Sequence, residues 1–294
     1  MNRLWERFYG TGVSKVLDDV GGQGEWPTHP ELLDWLALEF VENGWDLKHM
    51  VRLMVTSRAY RQSSLTTNKL RAKDPFNRFY ARQSRFRIEA GLVRDGTLSM
   101  SGLLVPDIGG RSVFPYQPEG YYSNCNTFGG VLAYDTEKDG NQYRRGLYTF
   151  WKRSFLHPSL LAFDAPSREE CTAERTLSNT PLQALVLLND PSYMEAARVF
   201  AQRIMTEGGE RSDDRIRLAY RYALSREPDT QELELIRNLY HAHLMEYSQD
   251  PAAAQALLET GMASIPEGVD VVDLAAWTSV TRVILNLHET ITRS

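Results

Sequence analysis

Asn179-Thr180-Pro181-Leu182-Gln183 is the stretch that most narrows what this chain can become. Thr180 is a good N-cap, Pro181 is pre-set for a first helical turn where its missing N–H costs nothing, and Gln183 can reach back to the cap backbone. A helix therefore starts at Pro181. Its body, Leu182, Leu185, Val186 and Leu188 around Ala184, is apolar almost all round, which predicts central burial. Asn189-Asp190-Pro191 stops this helix and opens the next, with Asp190 as cap. Helical spacing then runs on to the end of the chain. Met194, Ala197, Val199, Phe200 and Ile204 make one helix up to Gly208-Gly209. Asp213 or Asp214 caps another bearing Ile216, Ala219, Tyr220 and Ala223, and Pro228-Asp229-Thr230 opens a third. An alanine-rich helix at 251–258, a loop and a buried helix at 272–287 follow.

The first hundred residues read the same way. Leu4, Trp5 and Phe8 have helical spacing and Gly10 with Gly12 ends them. Thr28, Pro30 and Glu31 predict a second capping box, with Leu32, Leu33, Leu36 and Phe40 as its apolar face. Asn43-Gly44 closes that helix, and Asp46 caps one carrying Met50, Val51, Met54 and Val55. Together they predict a helical hairpin over residues 28–62. The glycines of DDVGGQGEWP follow no strand and precede a proline, so they read as a connector and not as a phosphate loop. Arg78, Arg82, Arg85 and Arg87 approach a helix with Ile88, Leu92, Val93 and Leu98. With Glu89, Arg94 and Asp95 these arginines are expected to form a solvated or ion-paired face. Gly91 and Gly96 are expected to bend or fray that helix.

Between residues 105 and 178 the pattern breaks. GGRSVFPYQPEGYY holds too much Gly and Pro for a helix and predicts an irregular loop or edge strand. Arg144, Arg145, Lys152 and Arg153 then bracket Leu147, Tyr148, Thr149, Phe150 and Trp151, a strand-forming run buried on both sides by its pattern. Arginine forks suit carboxylate, sulfate or phosphate, and Trp or Tyr offers a stacking face, so this run is a candidate anion or carbohydrate site. Equally, such cations pair with acids and cover apolar surface. Asp164, in Phe-Asp-Ala-Pro ahead of Arg168, Glu169 and Glu170, is held in a turn and either orients a neighbouring arginine or caps locally. Asn179, Asn189 and Asp190 join the candidates, with backbone satisfaction as the competing role. The fold class that results is mainly α: one multi-helix globular domain over 1–294 with a short irregular or β segment in the middle and C-terminal helices over 181–294.

Composition bounds the function. At 42% hydrophobic and 24% charged, the chain has ample material for a core, and a net charge of −5 gives no global attraction to nucleic acid or an anionic membrane. No run is long enough to span a membrane, and the N-terminus lacks a signal peptide's apolar core, so the chain by itself reads as cytoplasmic. Cys125 and Cys171 fit no zinc or covalent haem pattern and are compatible with one disulfide or two thiols. His241 and His243 are two apart on a helix and point to different sides, so no metal site is expected there, and no cofactor is implied elsewhere. No nucleophile elbow, zinc-protease helix or phosphate loop is present.

YRRGLYTFWKR, LAFDAPSREEC and SNTPLQALVLLNDP, with THPELLDWLALEF, SRAYRQSS and ILNLHETITR elsewhere, resemble the planctomycete domain of unknown function 1553 along nearly the whole chain. Gly91, Gly96, His288 and Thr290 depart from it, standing where Glu, Ala, Asp and Phe are common. The resemblance implies no established activity. It implies a context: an extracytoplasmic module, in the periplasm or at the cell surface, of proteins that also carry c-type haem domains. Three readings result: an accessory or ligand-binding module recognising acidic or sulfated polysaccharide, a carbohydrate-active enzyme using Asp164, Glu169 or Asp190 with arginines, and a helical scaffold without a ligand.

Overall fold

The structure is a computed structural model and describes residues 1–19, 21–121, 134–152 and 155–293. It is mainly α, as the helical punctuation predicts: 51% of the residues are helical, against one two-stranded sheet among the described residues. The chain falls into two compact units, Met1–Arg87 with Glu170–Thr176 and Thr292–Ser294, and Ile88–Glu169 with Leu177–Ile291.

The first unit holds α1 (Asn2–Tyr9), α2 (Pro30–Glu42), α3 (Leu47–Thr56) and α4 (Asn68–Lys73). It also holds the strand pair β1 (Phe86–Arg87) and β2 (Thr292–Arg293), antiparallel with Phe86 opposite Arg293. Its core is aromatic. Trp5 stacks on Tyr9 with ring centroids 3.9 Å apart, and Tyr80 meets both edge-on; Leu36, Met50 and Met54 complete the cluster. Each buried phenol is satisfied, Tyr9 by Ser57 Oγ at 2.9 Å and Tyr80 by donating to the Gly12 carbonyl at 2.8 Å. Asp46 caps α3 as predicted, accepting from the N–H of Lys48 at 2.8 Å and of His49 at 3.2 Å. Thr28 does not cap α2. That helix begins at Pro30 with His29 at the cap and no side-chain cap, because the Thr28 hydroxyl donates instead to the Val13 carbonyl at 3.3 Å.

The second unit holds α5 (Ala90–Ser101), α6 (Pro158–Ala162), α7 (Pro181–Asn189), α8 (Pro191–Glu207), α9 (Ser212–Leu224), α10 (Thr230–Gln249), α11 (Pro251–Leu258) and α12 (Val271–Leu285). Small residues let α8 and α12 approach: Ala197 and Ala201 of one share the core with Ala275 of the other, among Phe200, Ile204, Trp277 and Ile284. Thr281 Oγ1 donates to the Ala197 carbonyl at 2.7 Å across that contact. A smaller core of Ala90, Val93, Leu160, Phe163, Leu187 and Tyr193 joins α5, α6, α7 and α8. Two charged side chains of α8, Glu195 and Arg198, lie in the interior and grip one loop. Glu195 Oε1 accepts from Tyr143 OH at 2.8 Å and from the N–H groups of Met262 and Ala263 at 2.5 Å, while Arg198 donates to the Ala263 carbonyl at 2.6 Å.

Several local expectations are corrected here. Helix α7 is not central: Leu187 and Gln183 face inward, but Leu182 is 57% and Leu185 54% exposed. The run 147–151 is not a strand. It is a 3-10 turn, Gly146–Tyr148, and a single bridge from Thr149 to Val113, and Leu147 is 67% exposed. A strand needs a ladder, and the long-range backbone bonds of this run to the described residues go to Val113, from Tyr148 and Phe150. No aspartate side chain caps α9, because Asp213 in its first turn is engaged by Arg237 at 2.8 and 2.9 Å.

Helix α5 runs unbroken through Gly91 and Gly96, and Arg94 is buried instead of solvated. A Cβ at Gly96 would have Met100 Cε as its nearest neighbour, at 4.0 Å. Gly96→Ala should therefore stabilise the protein by roughly 1 kcal/mol, the usual helix-interior difference, and raise Tm by about 2–4 °C. Thermal melts of the pair check this, and an unchanged or lower Tm would refute it.

Candidate functional site

All the sequence-predicted residues that the structure describes lie in the second unit; Arg153 is outside the described residues, as is Cys125. Cys171 is a free, exposed thiol. The geometry begins at Arg144. Its guanidinium is buried and donates to three carbonyls of one loop, Asp107 at 3.2 Å, Arg111 at 3.1 Å and Gly109. It also lies 4.0 Å from the centre of the Tyr148 ring, whose hydroxyl accepts from the Gly109 N–H at 2.6 Å. Arg144 and Tyr148 thus fasten the 107–111 loop. Arg145 is half-buried on the side of Asp95, whose carboxyl accepts from the Gly146 N–H at 2.7 Å. Burial pushes the Asp95 carboxyl above its ordinary range, against that hydrogen bond and the charges of Arg94 and Arg145. Lys152 is bridged through its backbone to Phe155, with its ammonium 6.0 Å from the Phe155 ring centre.

A second group forms around the end of α6. Trp151 donates from Nε1 to the Ser167 carbonyl at 2.8 Å, and the exposed guanidinium of Arg168 lies 3.9 Å from the indole centre. Arg168 and Asp164 both occupy the left-handed region, at φ 62° and 60°. Such a conformation costs a non-glycine residue about 1–2 kcal/mol. At Asp164 the cost is offset by its carboxylate, which accepts from Ser178 N–H at 2.6 Å and from Ser178 Oγ at 2.7 and 2.9 Å. Gln183 reaches Ser178 too, with Nε2 3.3 Å from its carbonyl, so α6 and the start of α7 are tied at one serine. Asp164 therefore orients Ser178 and not an arginine. Asn179, next along, is exposed.

The Asn189-Asp190 junction is a cap. Asp190 accepts from the Ser192 N–H at 2.9 Å and Asn189 donates to the Leu185 carbonyl at 2.9 Å. Burial raises the Asp190 carboxyl, with the Ser192 N–H and the Arg94 charge opposing.

That charge belongs to a cluster the sequence did not disclose. Arg94, buried, donates to the Gln142 carbonyl at 2.5 Å. His157, buried, has Nε2 2.7 Å from the Tyr116 carbonyl and Nδ1 2.9 Å from Ser159 Oγ. A carbonyl only accepts, so Nε2 carries the hydrogen and Ser159 donates to Nδ1. Burial, then Arg94, lowers the His157 pKa to about 4, so the imidazole is neutral at ordinary pH. Tyr193 OH, also buried, faces Ser159 without a hydrogen bond of normal length, and burial raises its pKa. The pattern signals available, helical spacing around Val93 and a His-Pro helix start, mark neither Arg94 nor His157 as interior. Ser159 and His157 have the atoms of a nucleophile and base, yet they are 2% and 1% exposed, which denies a substrate contact with either.

The second unit also has a cavity of about 370 Å³, bounded in part by Gln142, Ser192, Glu195 and Met262; none of the sequence-predicted residues lines it. Among the described residues no group of three His, Cys, Asp or Glu side chains is arranged to hold a metal ion, and no helix is long and apolar enough to cross a membrane.

The arrangement defines a helical protein in which most of the conspicuous cations and carboxylates of the middle segment fasten loops to helices, with one arginine–indole stack at the surface. The family model for the protein of unknown function DUF1553 (PSD1) matches residues 1–240, and the chain belongs to that family. No curated protein and no solved structure matches it.

Proposed function

We propose that this chain is a non-catalytic binding module that recognises an acidic or sulfated polysaccharide, acting outside the cytoplasm beside a haem-bearing partner. The observation that carries the reading is the Arg168–Trp151 stack: an exposed guanidinium whose central carbon lies 3.9 Å from the indole centre, on backbone kept in a costly conformation. An exposed guanidinium beside an indole joins a forked cation to a stacking face, the combination that suits a carboxylate or sulfate group on a sugar ring. Binding is favoured over hydrolysis because glycoside cleavage needs two carboxyls facing one substrate. Here the Asp164 carboxylate is spent on Ser178 and that of Asp190 on the start of α8.

The scaffold reading is favoured by a specific observation too, the use of Arg144 and Tyr148 to hold a neighbouring loop. The two readings separate in a glycan-binding assay on uronic-acid and sulfated polysaccharides. Arg168→Ala should lower affinity by about tenfold, the weight of one charge-assisted hydrogen-bond pair, with an unchanged melting temperature. Trp151→Ala should lose binding as well, because the guanidinium then has no platform. Parent-like binding by both variants, or no binding by the parent, leaves the scaffold.

A further inference from the structure

The first unit contains a cavity of about 590 Å³ whose lining includes Arg71, Arg82 and Arg85 and no acidic residue. This is not an accident of one loop. Residues 58–87 carry nine Lys and Arg against a single Asp, in a chain whose net charge is −5. That one acid, Asp74, is buried and turned away, its two oxygens accepting from the N–H groups of Arg78 at 2.8 Å and Phe79 at 2.9 Å.

The three guanidinium groups divide the work. Arg82 is structural, donating to the carbonyls of Asp74 at 3.1 Å and Pro75 at 3.0 Å, so it braces the wall. Arg85 is held by its Nε, 3.2 Å from Ser64 Oγ, and its two terminal nitrogens have no hydrogen-bond partner among the described residues. The guanidinium of Arg71, on α4, makes no hydrogen bond and no ion pair among the described residues. Around them the lining is rich in neutral hydrogen-bonding side chains. The Ser84 hydroxyl accepts from Asn77 Nδ2 at 3.0 Å and keeps its own hydrogen to donate, and Thr11 Oγ1 makes no hydrogen bond among the described residues. Phe76, 80% exposed, stands at the cavity as an apolar face.

We propose that this cavity is a second binding site, for one negatively charged sugar unit bearing a sulfate ester or a carboxylate. The unspent N–H groups of Arg71 and Arg85 take the anionic group, the hydroxyl and amide side chains take sugar hydroxyls, and the Phe76 ring takes the apolar face of the pyranose. A single-stranded nucleic acid would also find cations and a ring. A cleft of this volume lined by hydroxyls fits one or two sugar rings better than a run of stacked bases. The site shares no lining residue with the Arg168–Trp151 stack and does not depend on it.

The test is calorimetric titration of the full chain with four probes: a sulfated disaccharide, a uronic-acid disaccharide, a neutral disaccharide and a short oligothymidylate. A sulfated or uronic disaccharide should bind, more weakly as salt rises, and the neutral one should not. Which of the two binds identifies the anionic group. Arg71→Ala with Arg85→Ala should lower that affinity by at least about tenfold, while Trp151→Ala and Arg168→Ala leave it unchanged. Both arginines are exposed, so the double variant should melt like the parent. If it does not, Arg71→Lys, which keeps the charge and loses the fork, should still weaken binding severalfold. Equal binding of the neutral sugar, tighter binding of the oligonucleotide, no binding of either acidic sugar, or an affinity untouched by the arginine variants would each overturn the assignment. Loss of binding in Arg168→Ala alone would return the ligand to the other site.

Discussion

Gly261→Ala should destabilise the protein by about 3–5 kcal/mol, a large part of the stability of an ordinary domain. Gly261 stands at φ 93°, which an L side chain rarely adopts, and a Cβ built there would fall 2.6 Å from both Cβ and Cγ of Glu195. Glu195 has nowhere to go. It is buried in α8, and its Oε1 holds Tyr143 OH and the N–H groups of Met262 and Ala263, so moving it breaks charge-assisted hydrogen bonds as well as packing. Arg198, whose buried guanidinium is held below its ordinary pKa by desolvation and supported by Glu195, loses its loop partner at the same time. Gly268→Ala is the control: it sits at φ 79° with nothing within 4 Å of its would-be Cβ, so it pays the backbone cost alone, about 1–2 kcal/mol. Urea denaturation of the two variants separates the effects. If Gly261→Ala costs no more than Gly268→Ala, the Glu195 clasp is not what holds the loop.

The same comparison shows what local sequence can and cannot disclose. Asp46, Asp190 and Asp229 cap helices as their positions predict, because a cap needs only the next three residues. Thr28 fails as a cap because Val13, fifteen residues earlier, competes for its hydroxyl. Periodicity found α8 and α12 but misjudged α7, since a mostly apolar helix nine residues long need present only one face to its neighbours, and Leu182 and Leu185 lie on the other. Arg94 looked like a surface charge because it stands beside Asp95 and near Glu89, acids that could pair with it in solvent. It is buried because the 3-10 turn at Gly146 and the Gln142 carbonyl come against α5 from fifty residues away.

The candidate site follows the same rule. Trp151 with Arg168, and Arg144 with Tyr148, are pairings that close sequence distance allows, and the arginine-plus-aromatic composition pointed to them. The partners that decide their roles come from elsewhere: carbonyls at 107–111 consume Arg144, and Ser178 consumes Asp164. Conversely, the cations of the first unit read as an ordinary solvated face, because nothing in their spacing tells that the acids expected to pair with them are absent from the cavity wall.

His157 supplies the second large effect, on the pH dependence of stability. Burial and the Arg94 charge depress its pKa from 6.5 to about 4, so the folded chain keeps Nδ1 unprotonated while the unfolded chain takes up a proton below pH 6.5. The contribution of this residue is complete above pH 6.5 and is lost as the pH falls toward 4, where the folded state also protonates. The total is about 3 kcal/mol, at roughly 1.4 kcal/mol per pH unit. Asp95 and Asp190 act in the opposite sense. Their carboxyls are raised by burial, so the folded state binds their protons first and gains stability as the pH falls through those raised values. The net profile of the parent is therefore shallower than His157 alone would give, and the informative quantity is a difference. His157→Gln keeps a donor for the Tyr116 carbonyl and an acceptor for Ser159 without a titrating group. Urea denaturation between pH 4 and 6.5 should show the parent losing stability more steeply than this variant, by close to one bound proton. Equal slopes would mean that His157 takes up its proton in the folded state as readily as in the unfolded chain, and that the buried cluster around Arg94 does not exclude a charge.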